Sequence, residues 1–295
     1  MNTLKYLIFL FFPLLCSCNK NNSTADAFGN FQADEIIVSA EVSGPIVVDS
    51  IEEGMIIKKG QLALQIDTVQ LALKVKELNS KIRATKARRT NIDAQSAIFE
   101  QQKKMALVDF NRIKNMLADS AATQKQLDDI AGEIEVLNRQ ISSVKSNLES
   151  INAEAAALEA GVLQIHDMLS RTKVVAPISG TIIEQYAETG EMAIPGKALF
   201  KVANLETMVL KAYVSARQLP EIETGQKVKV CIDGADGQLI CFEGSISWIS
   251  AEAEFTPKNI QTREERVNQV YAIKIRVKNN GPIKINMPGE VWFKV

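Results

Sequence analysis

LDDIAGEIEVLNRQISSVKSNLESINAEAAALEAGVLQIHDML, residues 127–169, carries an apolar position at alternating steps of three and four. The repeat runs Leu127, Ile130, Ile134, Leu137, Ile141, Val144, Leu148, Ile151, Ala155, Leu158, Val162, Ile165, Leu169. That spacing keeps one seam facing a partner helix, as in a coiled coil. A looser version lies upstream: Leu71, Val75, Leu78, Ile82, Thr85, Arg89, Ile92, Ser96, Phe99, Lys103, Ala106, Phe110, Ile113, Leu117. Residues 68–172 contain no proline, and their only glycines are Gly132 and Gly161. Between the two runs stand Asp119, Ser120 and Thr123, residue types that cap helices and favour turns. The pattern predicts two antiparallel arms with a tip at 118–123. At ~1.5 Å per residue, an arm of about fifty residues reaches roughly 70 Å. Such a rod performs no chemistry. It spans a distance.

Charge agrees with the hairpin. With the turn near Ser120, the basic run Lys81, Arg83, Lys86, Arg88, Arg89 falls opposite Glu154 and Glu159. Interhelical pairs of this kind set orientation more than stability, at ~0.3–0.5 kcal/mol each. Acids interleave with the bases and the formal net charge is −1, so nucleic acid is not expected as a partner. With 46% hydrophobic residues the chain can build a globular core.

The N-terminus reads as an export signal. Residues 6–15 form an apolar run too short for a ~30 Å hydrocarbon core, as in the h-region of a signal peptide. It ends in Leu15-Cys16-Ser17-Cys18, which resembles the bacterial lipobox; the resemblance implies cleavage after residue 17 and lipid attachment at Cys18. The polar residues 19–24 then read as a tether. Two cysteines remain, Cys231 and Cys241, around an Asp-Gly-x-Asp-Gly turn. They lie opposite each other across a predicted β-hairpin. Either they form a disulfide, which an exported compartment permits, or they stay as buried thiols. No histidine- and cysteine-rich spacing indicates a metal.

A repeat flanks the hairpin. Residues 38–66 and 174–202 align without a gap: Ser43-Gly44 on Ser179-Gly180, Ile46 on Ile182, Gly54 on Gly190, Gly60 on Gly196. Short β-branched runs with glycines at fixed spacing predict strands joined by tight turns, so all six glycines are candidate turn residues. The expected fold class is α+β: a long helical hairpin inserted into a split β-sandwich. Each half of that sandwich resembles half of a biotinyl/lipoyl domain. The split arrangement resembles the periplasmic adaptor (membrane fusion) proteins of the HlyD family. In true carrier domains a lysine at the junction of the halves takes the cofactor; here the hairpin occupies that junction, and Lys58 and Lys59 precede the Gly60 turn instead. No cofactor is expected.

Beyond Asn204, Met208–Val214, Lys227–Cys231, Leu239–Phe242 and Ser245–Ile249 alternate as strands of a small β-barrel, with a helical turn at 216–222 ended by Gly225. Residues 254–271 and 287–293 are similar to the subset of these adaptors that work with ABC-type exporters. The resulting division is signal peptide 1–17, tether and first strand 18–35, sandwich half one 36–67, hairpin 68–172, half two 173–204, barrel 205–280, and a membrane-proximal remnant 281–295 with Phe31–Val38.

The resemblance implies partners. The hairpin tip of the family carries Arg, Leu and Ser that meet a TolC-like outer-membrane channel. Arg112, Met116 and Thr123 fall on that spacing, with Leu117 beside Met116. The local alternative pairs Arg112 with Asp128 and Asp129 across the hairpin and makes Thr123 a helix cap. The resemblance further implies an inner-membrane ABC transporter, a homo-oligomeric, hexameric ring and a periplasmic location, lipid-anchored at the inner membrane. His166 is read as a solvated helix residue. No phosphate loop ending in Lys-Ser/Thr and no catalytic constellation is visible, so an enzyme is not expected. Two rivals stand beside the adaptor: an envelope scaffold using the rod for attachment, and a biotin/lipoyl carrier subunit.

Overall fold

Both predicted arms are single helices in the computed structural model, which describes residues 25–235, 238–254 and 269–294. Helix α1 spans Val69–Ala118 and α2 spans Gln124–Arg171. None of the thirteen α2 seam positions named above is exposed, and Leu137, Ile141, Val144 and Ile151 are buried. The α1 seam holds with one correction. Arg89 is exposed and pairs with Asp93 on its own helix at 3.6 Å, because a guanidinium keeps more of its hydration there than in an apolar seam. Two of the five basic residues make the expected interhelical pairs, Lys86 with Glu159 at 3.3 Å and Arg88 with Glu154 at 3.2 Å, while Lys81 pairs with Glu77 and Arg83 bonds Ser80 on their own helix. Asp67 starts α1 by accepting from the Val69 amide at 2.7 Å. Nearer that end, Lys81 and Lys74 hold the Glu77 carboxyl down at about 2.

The chain divides into two compact units, 36–202 and a second made of the N-terminal residues to 35 with 203–295. In the first, strands β2 (Gly44–Asp49), β3 (Ile56–Ile57) and β4 (Leu62–Ile66) precede the hairpin. Strands β5 (Lys173–Val175), β6 (Gly180–Gln185), β7 (Met192–Ala193) and the start of β8 (Ala198–Ser215) follow it. The aligned strands begin at equivalent repeat positions and exchange partners. Gly44 pairs with Ala193 while Ile57 pairs with Gly180, and Pro45 with Met192 while Ile56 pairs with Thr181. Hydrogen bonds repeat the exchange, Gly54 N donating to Ile182 O at 2.9 Å and Gly190 N to Ile46 O at 2.8 Å. One sheet is therefore ordered β5-β4-β2-β7, and the facing strands run β8-β6-β3. Their shared core also falls in equivalent pairs, among them Ile46 with Ile182, Leu64 with Phe200 and Ile66 with Val202. The predicted sandwich is one body with two interlocked halves.

In the second unit, β1 (Ala27–Ser39, contributing its first part), β12 (Pro288–Trp292), β9 (Lys227–Asp233), β10 (Leu239–Glu254), β11 (Val270–Lys278) and β8 follow one another, and a β1–β8 pairing closes the ring. The barrel is filled by Phe31, Met208, Leu210, Val228, Val230, Ile246, Ile273, Ile275 and Val291. Two sequence expectations change here. Leu239–Phe242 and Ser245–Ile249 are one strand, β10, bent by irregularities after Ile246 and Ile249. The first and last strands are barrel staves rather than a separate remnant: Ala27 pairs with Val291 and Asn30 with Pro288. The helical turn is a short 3-10 segment, Leu219–Glu221. Asn279, 8% exposed, ties the β11 exit together, donating to Leu205 O and Ile283 O and accepting from the Gly281 and Ile283 amides.

Candidate functional site

The hairpin tip is built by two caps back to back. Ser120 takes a left-handed φ of 59°. The Ala121 amide donates to Met116 O at 2.7 Å and the Ser120 amide to Leu117 O at 3.0 Å. These paired bonds close α1 as a Schellman turn, with serine where glycine is usual. Helix α2 then opens with a capping box. Thr123 Oγ1 accepts from the Gln126 amide at 3.3 Å, and the Thr123 amide donates to Gln126 Oε1 at 2.8 Å. The capping reading of Thr123 is thus what the geometry gives its hydroxyl.

Around this turn, Arg112 and Met116 are exposed one helical turn apart, and Leu117 is half-buried in the seam. Arg112 bonds Asp109 at 3.0 Å on its own helix, not Asp128 or Asp129 across the hairpin. A partner three residues away is reached without spanning the seam, and Asp128 instead accepts from Gln124 Nε2 at 2.8 Å. What the tip presents is a doubly capped elbow bearing a thioether, a paired guanidinium and a short polar turn. It can dock against a surface.

The turn glycines separate into two kinds. Gly54, Gly60, Gly190 and Gly196 have φ between 81° and 92°, each at the third position of a turn closed by a backbone bond, as from Lys197 N to Ile194 O at 2.9 Å. Gly44 and Gly180 are not turn residues; they open β2 and β6. At Gly44 the reason for glycine is closeness, since a Cβ would lie 2.8 Å from Ile66 Cγ2. Lys58 and Lys59 are exposed, with the Lys59 amide donating to Ser179 Oγ at 2.9 Å. Cys231 and Cys241 are directly opposed on β9 and β10 and are joined by a disulfide. Cys18 lies outside the described residues, as does most of the 254–271 string. Among the described residues, no group of acids, histidines and cysteines is arranged to hold a metal. No helix there is long and apolar enough to cross a membrane.

Sequence reasoning missed the glycines that let the barrel close. Gly29 on β1 pairs with Gly289 on β12, and a Cβ on Gly29 would collide with the Lys211 carbonyl and lie 2.5 Å from Ala212 Cα. The available signal was weak: a glycine inside a strand-like run indicates close backbone approach.

A split sandwich with a helical hairpin inserted between its halves, in a chain that also builds a closed β-barrel, defines an adaptor architecture. A family model described as the RND MFP barrel-sandwich hybrid domain matches residues 34–205, and the chain belongs to this membrane fusion protein family. Curated relatives include a UPF0194 membrane protein of Enterobacter sp. (strain 638), 25% identical over 90% of this chain and 87% of its own length. Another is the UPF0194 membrane protein in the asrC 5′ region of Acidithiobacillus ferridurans, 22% identical with the same coverage, 90% and 87%. Among solved structures, MacA from Actinobacillus actinomycetemcomitans superposes with a TM-score of 0.53, at 21% identity over 90% of this chain and 76% of that one. The membrane fusion protein Spr0693 from Streptococcus pneumoniae R6 gives 0.53 at 17% identity, covering 91% and 98%. The likeness is in fold.

Proposed function

We propose that this chain is the lipid-anchored adaptor subunit of a tripartite exporter, bridging an inner-membrane ABC-type transporter to a TolC-like outer-membrane channel. The observation that carries the reading is the rod: two helices of 50 and 48 residues, about 70 Å long, ending in a doubly capped elbow. A protein that only bound a small ligand has no use for that length. Cys18 holds one end at the inner membrane, the sandwiches pack side by side into a ring, and Arg112, Met116, Leu117 and Thr123 form the channel-facing tip. The ABC assignment is supported by the similarity of residues 254–271 and 287–293 to adaptors of that kind. The family description favours a second reading for the transporter alone, a proton-driven RND pump.

Site-specific photocrosslinking from Ala121 in membranes of the native host tests the bridge. A product containing an outer-membrane channel protein is the expected result. Capture of only the chain itself or of peptidoglycan-associated proteins would move the envelope-scaffold reading ahead. Export lost on deletion, with envelope shape retained, separates the two again. Co-purification of an ATPase-bearing or a proton-coupled transporter with the chain decides between the ABC and RND partners.

A further inference from the structure

The barrel's outer face on β8, β10 and β11 is cationic and aromatic in a way that neither packing nor barrel closure requires. Lys274, Arg276 and Lys278 occupy alternate exposed positions of β11. Their cross-strand neighbours are Lys211, Val209 and Thr207 on β8, with Trp248 and Ser245 on β10. None of these is acidic, and among the described residues none of the three β11 cations has a salt bridge. Lys211 directly opposes Lys274, an arrangement that like charges disfavour. Glu254 offsets it on one side, 3.1 Å from Lys211 Nζ.

Aromatic rings join the cations. The irregularity after Ile246 skips Ser247, so that Trp248 rather than Ser247 opposes Lys274; re-aiming a side chain is what such bulges do. The Lys274 ammonium lies 5.3 Å from the Trp248 ring centroid, and Lys211 lies 5.3 Å from that of Tyr213. Trp248 is 43% exposed and Tyr213 37% exposed, while Phe28 on β1, the strand next to β8, is 56% exposed. Trp and Tyr rings, apolar with one polar edge, beside lysine and arginine suit the boundary between lipid headgroups and acyl chains, and an exposed Phe adds apolar area there.

We infer that this face lies against an anionic bilayer surface, Lys211, Lys274, Arg276 and Lys278 meeting lipid phosphates while Trp248, Tyr213 and Phe28 enter the headgroup layer. The inference rests on the proposed anchor for one point only, the reach of the barrel. Eight residues, and so nine Cα–Cα steps, separate Cys18 from Ala27, where β1 begins. Fully extended they span no more than about 30 Å, so an acylated Cys18 keeps the barrel near the membrane. The charge complementarity stands on the barrel alone.

The test uses the mature chain from residue 18 without its acyl group, sedimented with phosphatidylcholine vesicles with or without phosphatidylglycerol. Binding to the anionic vesicles and not to the neutral ones is expected, weakening steeply as salt shortens the Debye length from ~10 Å at 0.1 M. K274Q/R276Q/K278Q lowers the partition by roughly a hundredfold, about fivefold per cation. The charge-matched hairpin variant K103Q/K104Q/K145Q retains binding. Equal binding to both vesicle types, no salt dependence, or equal loss in the hairpin variant overturns the inference. So does a β11 variant that keeps vesicle binding but no longer captures the transporter from solubilised membranes, which would give the face to a protein partner. The salt titration needs no variant, so it decides even if the triple substitution impairs folding. Neither transporter nor acyl chain is present, so failure here leaves the adaptor reading to the Ala121 crosslink.

Discussion

At Gly29 the backbones of β1 and β8 approach so closely that no side chain fits, and the obstruction is peptide backbone rather than a movable side chain. Gly29→Ala should therefore destabilise the barrel by roughly 3 kcal/mol, the upper range for overpacking, read as a lower denaturant midpoint at unchanged slope. Gly132→Ala on α2, where a Cβ meets nothing within 4 Å, is the control and should stabilise slightly. Single-residue legibility was uneven for a physical reason. Gly54, Gly60, Gly190 and Gly196 were readable because a turn needs a local backbone angle. Gly29 carries no local signal and Gly44 looks like a turn glycine, because what both avoid arrives from another strand. Arg89 and Arg112 show the same limit: heptad spacing gave Arg89 a seam position and hairpin symmetry gave Arg112 a cross-hairpin partner, but both found acids on their own helix.

At the scale of elements, the hairpin was legible almost residue by residue. A seam repeated over many heptads leaves few alternatives, and both ends of the tip carried capping residues. Its strained point is Ser120. Ser120→Gly should remove the left-handed penalty, net of glycine's greater unfolded freedom, and slow exchange of the Ala121 amide about two- to fivefold. Unchanged exchange would mean that the turn is not the weak point of the tip. The hairpin base carries one local pH dependence. Glu77 is depressed to about 2 from an ordinary 4.5, chiefly by Lys81 and then by Lys74. A depressed carboxyl stabilises above its unfolded pKa, and that contribution is lost as pH falls from about 4.5 through 2. Amide protection at residues 74–81, with the intrinsic pH dependence of exchange divided out, should fall over that window, and less so in high salt, since the group is exposed. Strands were harder. In sequence β10 looks like two pieces, because its irregularities break the alternation that marks a strand.

At the scale of the whole chain, the exchange of strands between the repeats has a measurable consequence. β7 pairs with β2 and β3 with β6, so neither half of the sandwich has a complete sheet of its own. Ile46→Ala and Ile182→Ala occupy equivalent buried positions on opposite sides of a hairpin more than a hundred residues long. Each should cost about 2–4 kcal/mol and lower the same sandwich transition. Two separate transitions, each moved by only one substitution, would show that the halves fold independently.

The amino-acid order determined whatever depends on periodicity and local backbone angle: the seam, the tip at 118–123, the glycine turns and the gapless repeat around them. Those signals are local, repeated many times, and tolerate few other conformations. The tertiary structure decided what depends on approach between distant strands. It recruited β1 and β12 into the barrel, set Gly29 against the backbone of β8, and joined Cys231 to Cys241 across β9 and β10. It also brought Trp248 beside Lys274, a neighbour relation created by one skipped residue in a ladder and invisible until the register is known.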